Sequence, residues 1–273
     1  MAHSNFRPIE LIPIKISRKS KPFDLYNAIK NTSFKFIDGD ILIISSKFVS
    51  MSEGELVHLK DVTASAKAKK LASIFRMDEK IVEIVLKESD HIVSGIPGFL
   101  LSIQKGILAP NAGIDKSNVP SGTVIVYPRK PFQTADKLRK KFLTELNLRM
   151  GIVISDSRLM PMRIGTTGIA IGVAGFEPVE DDRGRKDLFG KKLKFTYRAV
   201  ADSLATMGVA LMGESNESIP IVIARGPKVT PTNRLLNNRD MSVRFSNDLY
   251  FKAVNLQIKA MGRKTHSFNI ATL

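Results

Sequence analysis

The sequence predicts an α+β fold built from mixed sheets and packed helices. Short runs rich in Ile and Val, each bounded by Gly, Pro or Asp, are interspersed with longer segments of helical periodicity. Strict β–α–β alternation is missing, which favours α+β over a doubly wound parallel sheet. With 273 residues, the chain is long enough for one large domain or two small ones.

The strand-like runs have the length and composition of buried β-strands. They are residues 9–16, 40–49, 91–97, 122–128, 151–157 and 219–226. A further, glycine-rich run at 165–175 lacks the G-x-G-x-x-G spacing of a dinucleotide-binding turn, so we interpret it as a closely packed strand. A nucleotide-cofactor oxidoreductase stays open as the less favoured interpretation of this run.

Four segments between the strands have helical periodicity. They are residues 61–75, 78–89, 131–148 and 196–213. In 78–89 the apolar side chains lie near one face, and Asp78 and Glu79 occupy the first turn, where the helix dipole favours acidic groups. The Ala- and Met-rich segment 196–213 is expected to be buried along one stripe.

The composition excludes several classes of protein. The chain has no Cys, which rules out disulfides, thiolate metal sites and cysteine nucleophiles. No apolar run reaches the roughly 18–20 residues that span a membrane, and the first ten residues lack the apolar core of a signal peptide. We therefore expect a cytoplasmic protein without a membrane partner.

The net charge of +16 admits two interpretations. A nucleic-acid-binding protein would carry such a charge. However, only 7% of the residues are aromatic and Trp is absent, so few side chains could stack on bases. The basic residues are also spread along the chain, and small polyanionic ligands explain them at least as well. We expect no nucleic-acid partner and keep nucleic-acid binding as the alternative.

Three polar loops are the strongest indication of chemistry. Residues 110–122 place Asp115 and Asn118 among Pro and Gly, where neither a helix nor a central strand can form. The loop ISDS at 154–157 follows a strand-like run, and MGESNES at 212–218 follows a helix-like run. This pattern is typical of a metal and phosphate site, although a turn or cap is the common alternative role for any single Asp.

Other catalytic signatures are missing from the sequence, including a Walker A loop, an H-E-x-x-H metal motif and a G-x-S-x-G nucleophile. The remaining candidates are oxygen ligands, which suit Mg²⁺ or Mn²⁺. Asp115 and Asp156 would form one metal site, and Ser157 with Glu214 a second, as a clamp on a transferring phosphoryl group. Spacing alone does not show that the loops converge.

Several runs occur in a characteristic order: PNAGIDKSNV (110–119), GIVISDS (151–157), PMRIG (161–165), GRKDLFG (184–190), and ADSLA with LMGE and PIVIARG (201–226). Through these runs the sequence closely resembles the coenzyme F420-0:γ-glutamyl ligase family. The resemblance extends from about residue 9 to at least residue 226, and 227–273 matches the family only weakly.

The resemblance implies a GTP-dependent ligase that builds the glutamate tail of a deazaflavin coenzyme. GTP would phosphorylate the terminal carboxylate of coenzyme F420-0, and the amine of L-glutamate would attack the acyl phosphate to form an amide. A second glutamate can follow through a γ-linkage. The resemblance also implies two Mg²⁺ or Mn²⁺ sites, K⁺, and a single ligase module over 1–273 with two intimately associated lobes in an intertwined homodimer.

Position by position, the resemblance assigns the first metal to Asp115 and Asp156 and the second to Ser157 and Glu214. The residues expected to contact GTP are Asn118, Ser17, Arg18, Lys19, Ser46, Lys47, Met212, Gly213, Glu214, Ser215, Asn216, Glu217, Ser218 and Ile219. Met51 stands where the family usually has a basic residue that contacts the nucleotide.

Arginines are the expected ligands of a substrate carboxylate or phosphate, because the guanidinium matches both geometries. Arg163 is the candidate that we place with Asp115 and Asp156 in catalysis. The cluster of Arg183, Arg185 and Lys186 is the second candidate, and simple solvation is the alternative for each of these side chains.

Overall fold

The computed structural model describes residues 8–19 and 21–253. Over these residues the chain forms two compact units. The first unit contains the residues up to 55 together with 128–241, and the second contains 56–127 together with the described residues from 242 onward. Each unit combines β-sheet with helices, so the predicted α+β fold class with mixed sheets is confirmed.

The strands, in chain order, are β1 (Glu10–Ile14), β2 (Ile41–Ser45), β3 (Leu56–His58), β4 (His91–Ile96), β5 (Phe99–Gln104), β6 (Ile107–Pro110), β7 (Thr123–Ile125), β8 (Gly151–Leu159), β9 (Thr166–Ala174), β10 (Val179–Asp181), β11 (Tyr197–Ala199) and β12 (Ile221–Arg225). The α-helices are α1 (Leu25–Lys30), α2 (Ser46–Glu53), α3 (Ala66–Phe75), α4 (Glu79–Glu88), α5 (Pro131–Leu146) and α6 (Val200–Met212). Within the described residues, no helix is both long enough and apolar enough to cross a membrane.

The first unit is built on a five-stranded sheet of order β1-β12-β2-β8-β9. β2 and β8 are parallel and the other neighbours are antiparallel. Helix α6 packs on one face, where Ala205 and Leu204 join the apolar side chains of β2, β8 and β12. Phe142 of α5 packs edge-on against Tyr26 and Phe36, and the four β2 side chains of residues 41–44 are all buried.

A β-bulge in β9 allows two helices to approach it closely. The register with β8 shifts so that Ile171 is an extra residue, and Gly168 and Gly172 therefore point to opposite faces although they are four residues apart. A Cβ atom on Gly168 would overlap the backbone of α6, and one on Gly172 would lie 2.7 Å from the Pro131 backbone. Both glycines are needed because helix backbones occupy that space.

The bulge is tied to the first turn of α6. The N–H group of Ala170 donates a hydrogen bond to Oδ1 of Asp202 at 2.9 Å. Burial raises the pKa of Asp202 above its usual value, while this hydrogen bond and the charge of Arg158 act in the opposite direction. Asp202 therefore satisfies a backbone donor that the bulge takes out of the strand ladder.

The second unit contains the antiparallel sheet β4-β5-β6, the pair β3–β7 and helices α3 and α4. As predicted, the apolar face of α4 is buried, with Ile81 and Val85 in one cluster with Leu100 and Val124. Asp78 caps this helix, because its Oδ1 accepts hydrogen bonds from the N–H groups of residues 80 and 81.

Three predicted boundaries are wrong. The helix expected over 61–75 begins at Ala66, because Ser65 is its N-cap. The strand expected over 40–49 ends at Ser45, because Ser46–Glu53 form α2, which Gly54 terminates in a left-handed conformation. The helix expected over 196–213 begins at Val200, since Tyr197–Ala199 pair with β10. The strands β3, β5, β6 and β10 and helix α1 were not predicted. The last part of the weakly matching segment, residues 254–273, lies outside the described residues.

Candidate active site

Three segments of the first unit meet at one end of its sheet. The N–H of Ile16, just beyond β1, donates to the carbonyl of Ser218 at 3.1 Å, and the N–H of Ser45 donates to the carbonyl of Pro220 at 2.9 Å. The structure therefore joins the segment containing Ser17, Arg18 and Lys19, the start of α2 with Ser46 and Lys47, and the loop Met212 to Ile219. That these segments contact a nucleotide stays a prediction.

Asp156 lies beside the start of α2 because β2 and β8 run parallel. Ser45 is paired with Ser155, and one residue further along the Oγ of Ser46 donates a hydrogen bond to Oδ1 of Asp156 at 2.7 Å. Ser46 is buried, so this bond fixes the carboxylate relative to the first turn of α2. Met51 also lies in α2, in its second half.

Glu214 is held by two hydroxyl groups from neighbouring strands. Ser157 of β8 donates to Oε2 at 3.2 Å, and Thr166 of β9 donates to Oε1 at 2.8 Å. The β9 bulge puts Thr166 on the α6 face of the sheet, together with Gly168. Sequence analysis did not identify Thr166. The signal that could have identified it is the hairpin between β8 and β9, which places Thr166 opposite the end of β8.

The loop after α6 folds back on itself. Gly213 ends the helix with a φ of 71°, and Glu217 lies so close over it that a Cβ atom would clash with the carboxylate. Oε2 of Glu217 accepts a hydrogen bond from the N–H of Ser215 at 2.9 Å. The loop is therefore a compact turn that holds Glu214 next to the ends of β8 and β9.

Asp115 and Asn118 lie in the second unit. Asp115 exchanges two backbone hydrogen bonds with Ile125 of β7, and its carboxylate accepts from the N–H and the Oγ of Ser117 at 2.6 and 3.0 Å. Asn118 follows with a left-handed φ of 56°. The Asp115 side chain is thus held in a defined orientation by a local turn.

The chain before Asp115 has an unusual backbone that β5 supports. Asn111, Ala112 and Gly113 have consecutive positive φ angles of 50°, 55° and 69°. The Oγ of Ser102 accepts the Ala112 N–H at 3.0 Å, and Oδ1 of Asn111 accepts the Leu100 N–H at 2.9 Å. The turn is therefore held by hydrogen bonds to two buried residues of β5, which is how a strained conformation persists.

The metal ligands expected at Asp115, Asp156, Ser157 and Glu214 are divided between the two units, with Asp115 in the second and the others in the first. Among the described residues, no group of three or more His, Cys, Asp or Glu side chains could hold a metal ion. The donor atoms are carboxylate and hydroxyl oxygens, which fit Mg²⁺ or Mn²⁺, ions that usually keep waters and bind phosphate oxygens. Their joint metal binding stays a prediction.

The predicted anion-binding arginines differ in their surroundings. Arg163 lies exposed in the hairpin between β8 and β9, with its N–H bonded to the Met160 carbonyl at 3.2 Å. Arg183 forms a two-pronged ion pair with Asp181 and lies 4.6 Å from the ring centre of Tyr197. Arg185 pairs with Asp182 at 2.9 Å, whereas Lys186 makes no ion pair with any described residue.

A groove of about 840 Å³ opens beside the segment that contains Ser17 and Lys19. Ser17 and Lys19 line one wall, and Asn27, Asn31 and Thr32 of the α1 region line another. It therefore offers amide, hydroxyl and ammonium groups next to the sheet end that carries Asp156.

Comparison with known proteins identifies one family. The model of the family described as F420-0:γ-glutamyl ligase matches residues 23–226. A protein of Methanopyrus kandleri named coenzyme F420:L-glutamate ligase is 36% identical over 221 residues, which are 81% of this chain and 88% of that relative. A protein of the same name from Methanocaldococcus jannaschii is 40% identical over 193 residues, 70% of this chain and 77% of the relative.

Proposed function

The chain belongs to the F420-0:γ-glutamyl ligase family, and from this premise we propose that it is a GTP-dependent ligase that adds L-glutamate to coenzyme F420-0. The observation that carries the proposal is the convergence of three segments at the sheet end beside Asp156. The resemblance assigns nucleotide contacts to these segments, and two backbone hydrogen bonds hold them together. The basic net charge favours anionic substrates.

The proposed reaction has two steps. A carboxylate oxygen of the coenzyme attacks the γ-phosphorus of GTP, the bond to the bridging oxygen breaks, and GDP leaves. The amine nitrogen of L-glutamate then attacks the acyl carbon, the carbon–oxygen bond to phosphate breaks, and the nitrogen gives up a proton. The product is an amide, and a further γ-linked glutamate follows by the same steps.

The residues that would hold the metal ions are already oriented by hydroxyl groups. Ser46 fixes the Asp156 carboxylate, and Ser157 with Thr166 fixes that of Glu214. When bound, Mg²⁺ or Mn²⁺ supplies positive charge that stabilises the transferring phosphoryl group. We propose Asp115 as the further ligand, K⁺ as an accessory ion, and a homodimer as the assembled form.

A coupled assay tests the proposal. The protein is incubated with GTP, Mn²⁺, L-glutamate and coenzyme F420-0, and both GDP release and the mass of the coenzyme are followed. We expect GDP release that depends on the coenzyme, together with a mass gain of one glutamyl unit. Absence of coenzyme-dependent GDP release would refute the ligase proposal.

Two substitutions test the site within this assay. Asp115→Asn and Asp156→Asn should each abolish turnover while the fold is kept, because each removes charge from a proposed metal ligand. Asp61→Asn is the matched control, since Asp61 is exposed and has no role in the proposed site. Near-normal activity of either site variant, with an unchanged metal requirement, contradicts the metal assignment.

A further inference from the structure

The arginines of the first unit that the structure describes fall into two groups. Eight form an ion pair with a carboxylate: Arg129, Arg139, Arg149, Arg183, Arg185, Arg198, Arg225 and Arg234. Four make no ion pair with any described residue, namely Arg18, Arg158, Arg163 and Arg239. Three of these four are exposed, so water can hydrate their guanidinium groups. Arg158 is the one that is partly buried.

The Nε atom of Arg158 is buried and has no hydrogen-bond partner among the described residues. A buried donor without a partner costs about 1–3 kcal/mol. The structure thus holds a partly buried guanidinium next to the candidate site, and no described acid forms an ion pair with it.

Asp202 does not fill that role. Its Oδ1 accepts the Ala170 N–H at 2.9 Å, and it makes no hydrogen bond with Arg158 in the part of the chain that the structure describes. Burial raises the pKa of Asp202 and the charge of Arg158 acts to lower it, so the two groups interact electrostatically without a hydrogen bond between them.

The position of Arg158 connects it with Asp156. The two residues are two apart in β8, so their side chains share one face of the strand, and their Cα atoms are roughly 6.7 Å apart. Ser46 lies on this face, because it donates to Asp156. An anion bound beside Asp156 and the start of α2 is therefore within reach of the Arg158 side chain.

We propose that Arg158 binds the anionic oxygens of the reacting group, as a catalytic residue of this site. The ligand chemistry is a phosphate or carboxylate, which the planar guanidinium recognises through two parallel hydrogen bonds. Two sources carry it, the γ-phosphate of GTP and the terminal carboxylate of the coenzyme. The inference rests on the proposed function, and it assigns to Arg158 the contact that sequence analysis gave to Arg163.

The test compares Arg158→Gln, Arg158→Lys and the control Arg239→Gln. Arg239 is exposed and makes no ion pair within 8–19 and 21–253. Dissociation constants for GTP and GDP are measured with Mn²⁺ by calorimetry, and the KM of the coenzyme is measured at saturating GTP. A γ-phosphate contact weakens GTP binding but not GDP binding in Arg158→Gln. A carboxylate contact raises the KM of the coenzyme and leaves both nucleotide constants unchanged.

Either effect should be roughly ten- to hundredfold, as for the loss of a charged hydrogen bond. Arg158→Lys should fall between wild type and Arg158→Gln, because it keeps the charge but loses the planar fork. The melting temperature of Arg158→Gln should not fall, since the substitution removes an unsatisfied buried donor.

The inference is overturned if all three constants of Arg158→Gln stay within twofold of wild type, or if they change only together with a lower melting temperature. It is also overturned if Arg239→Gln shows the same effect. If the wild-type protein binds GTP but releases no GDP in the presence of the coenzyme, the ligase proposal is refuted. The comparison of GTP with GDP binding then still tests whether Arg158 contacts the γ-phosphate.

Discussion

Replacement of Gly168 by Ala tests how α6 positions Glu214. The new Cβ atom would overlap the carbonyl of Ala205 and lie 2.6 Å from the backbone nitrogen of Thr206, whereas ordinary contacts begin at 3.4 Å. Helix α6 therefore has to move by about 1 Å, because both neighbours are backbone atoms that no rotamer change can shift. The helix leads directly into Gly213 and Glu214.

The expected cost follows from this overlap. Overpacking of this kind destabilises by about 1–3 kcal/mol, which corresponds to a melting temperature lower by roughly 2–12 °C for a chain of this size. The Ser157–Glu214 hydrogen bond is already 3.2 Å long, so a shift of about 1 Å breaks it. GTP binding in the presence of Mn²⁺ should weaken roughly tenfold.

Gly172→Ala is the matched control for this experiment. Its Cβ atom would lie 2.7 Å from the Pro131 backbone, on the face of β9 away from α6. Scanning fluorimetry should show both variants destabilised, while calorimetry should show weaker GTP binding for Gly168→Ala alone. Unchanged melting and binding of Gly168→Ala would refute the close approach, and equal weakening in both variants would show that the effect is one of overall stability.

Three further substitutions test other parts of the first unit. Thr166→Val removes a hydroxyl from Glu214, so calorimetry should show GTP–Mn²⁺ binding weakened about three- to tenfold without a change in melting temperature; unchanged binding contradicts a positioning role. Asp40→Asn should lower the free energy of unfolding in urea by up to about 3 kcal/mol, because the buried partner of Arg225 loses its negative charge while Arg225 keeps part of its hydration. A change below about 0.5 kcal/mol contradicts this. Burial raises the pKa of Asp202, so the folded state holds that proton more tightly and stability falls as pH rises above the usual Asp range. The free energy of unfolding of Asp202→Asn should therefore equal that of wild type in acid and exceed it near neutral pH. A difference between the two proteins that does not change with pH would contradict this.

Local patterns were sufficient for much of the secondary structure. Helix α4 is recognisable because its apolar face, its cap at Asp78 and its acidic first turn lie within a dozen residues. The buried run of β2 and the glycine-rich strand β9 were also predicted. The junction at Ser45 was not, because the apolar residues after it suit either a buried strand or a buried helix.

Motifs in the sequence alone determined the family and the set of candidate residues, since these depend on residue order and spacing. The tertiary structure alone decided which of these residues are neighbours. Ser46 and Asp156 meet through the parallel pairing of β2 with β8, and Thr166 reaches Glu214 through a bulge in β9. Pairing and burial also left Arg158 without an ion pair to any described residue. No local pattern contains that information, because partners distant in the chain determine the surroundings of a side chain.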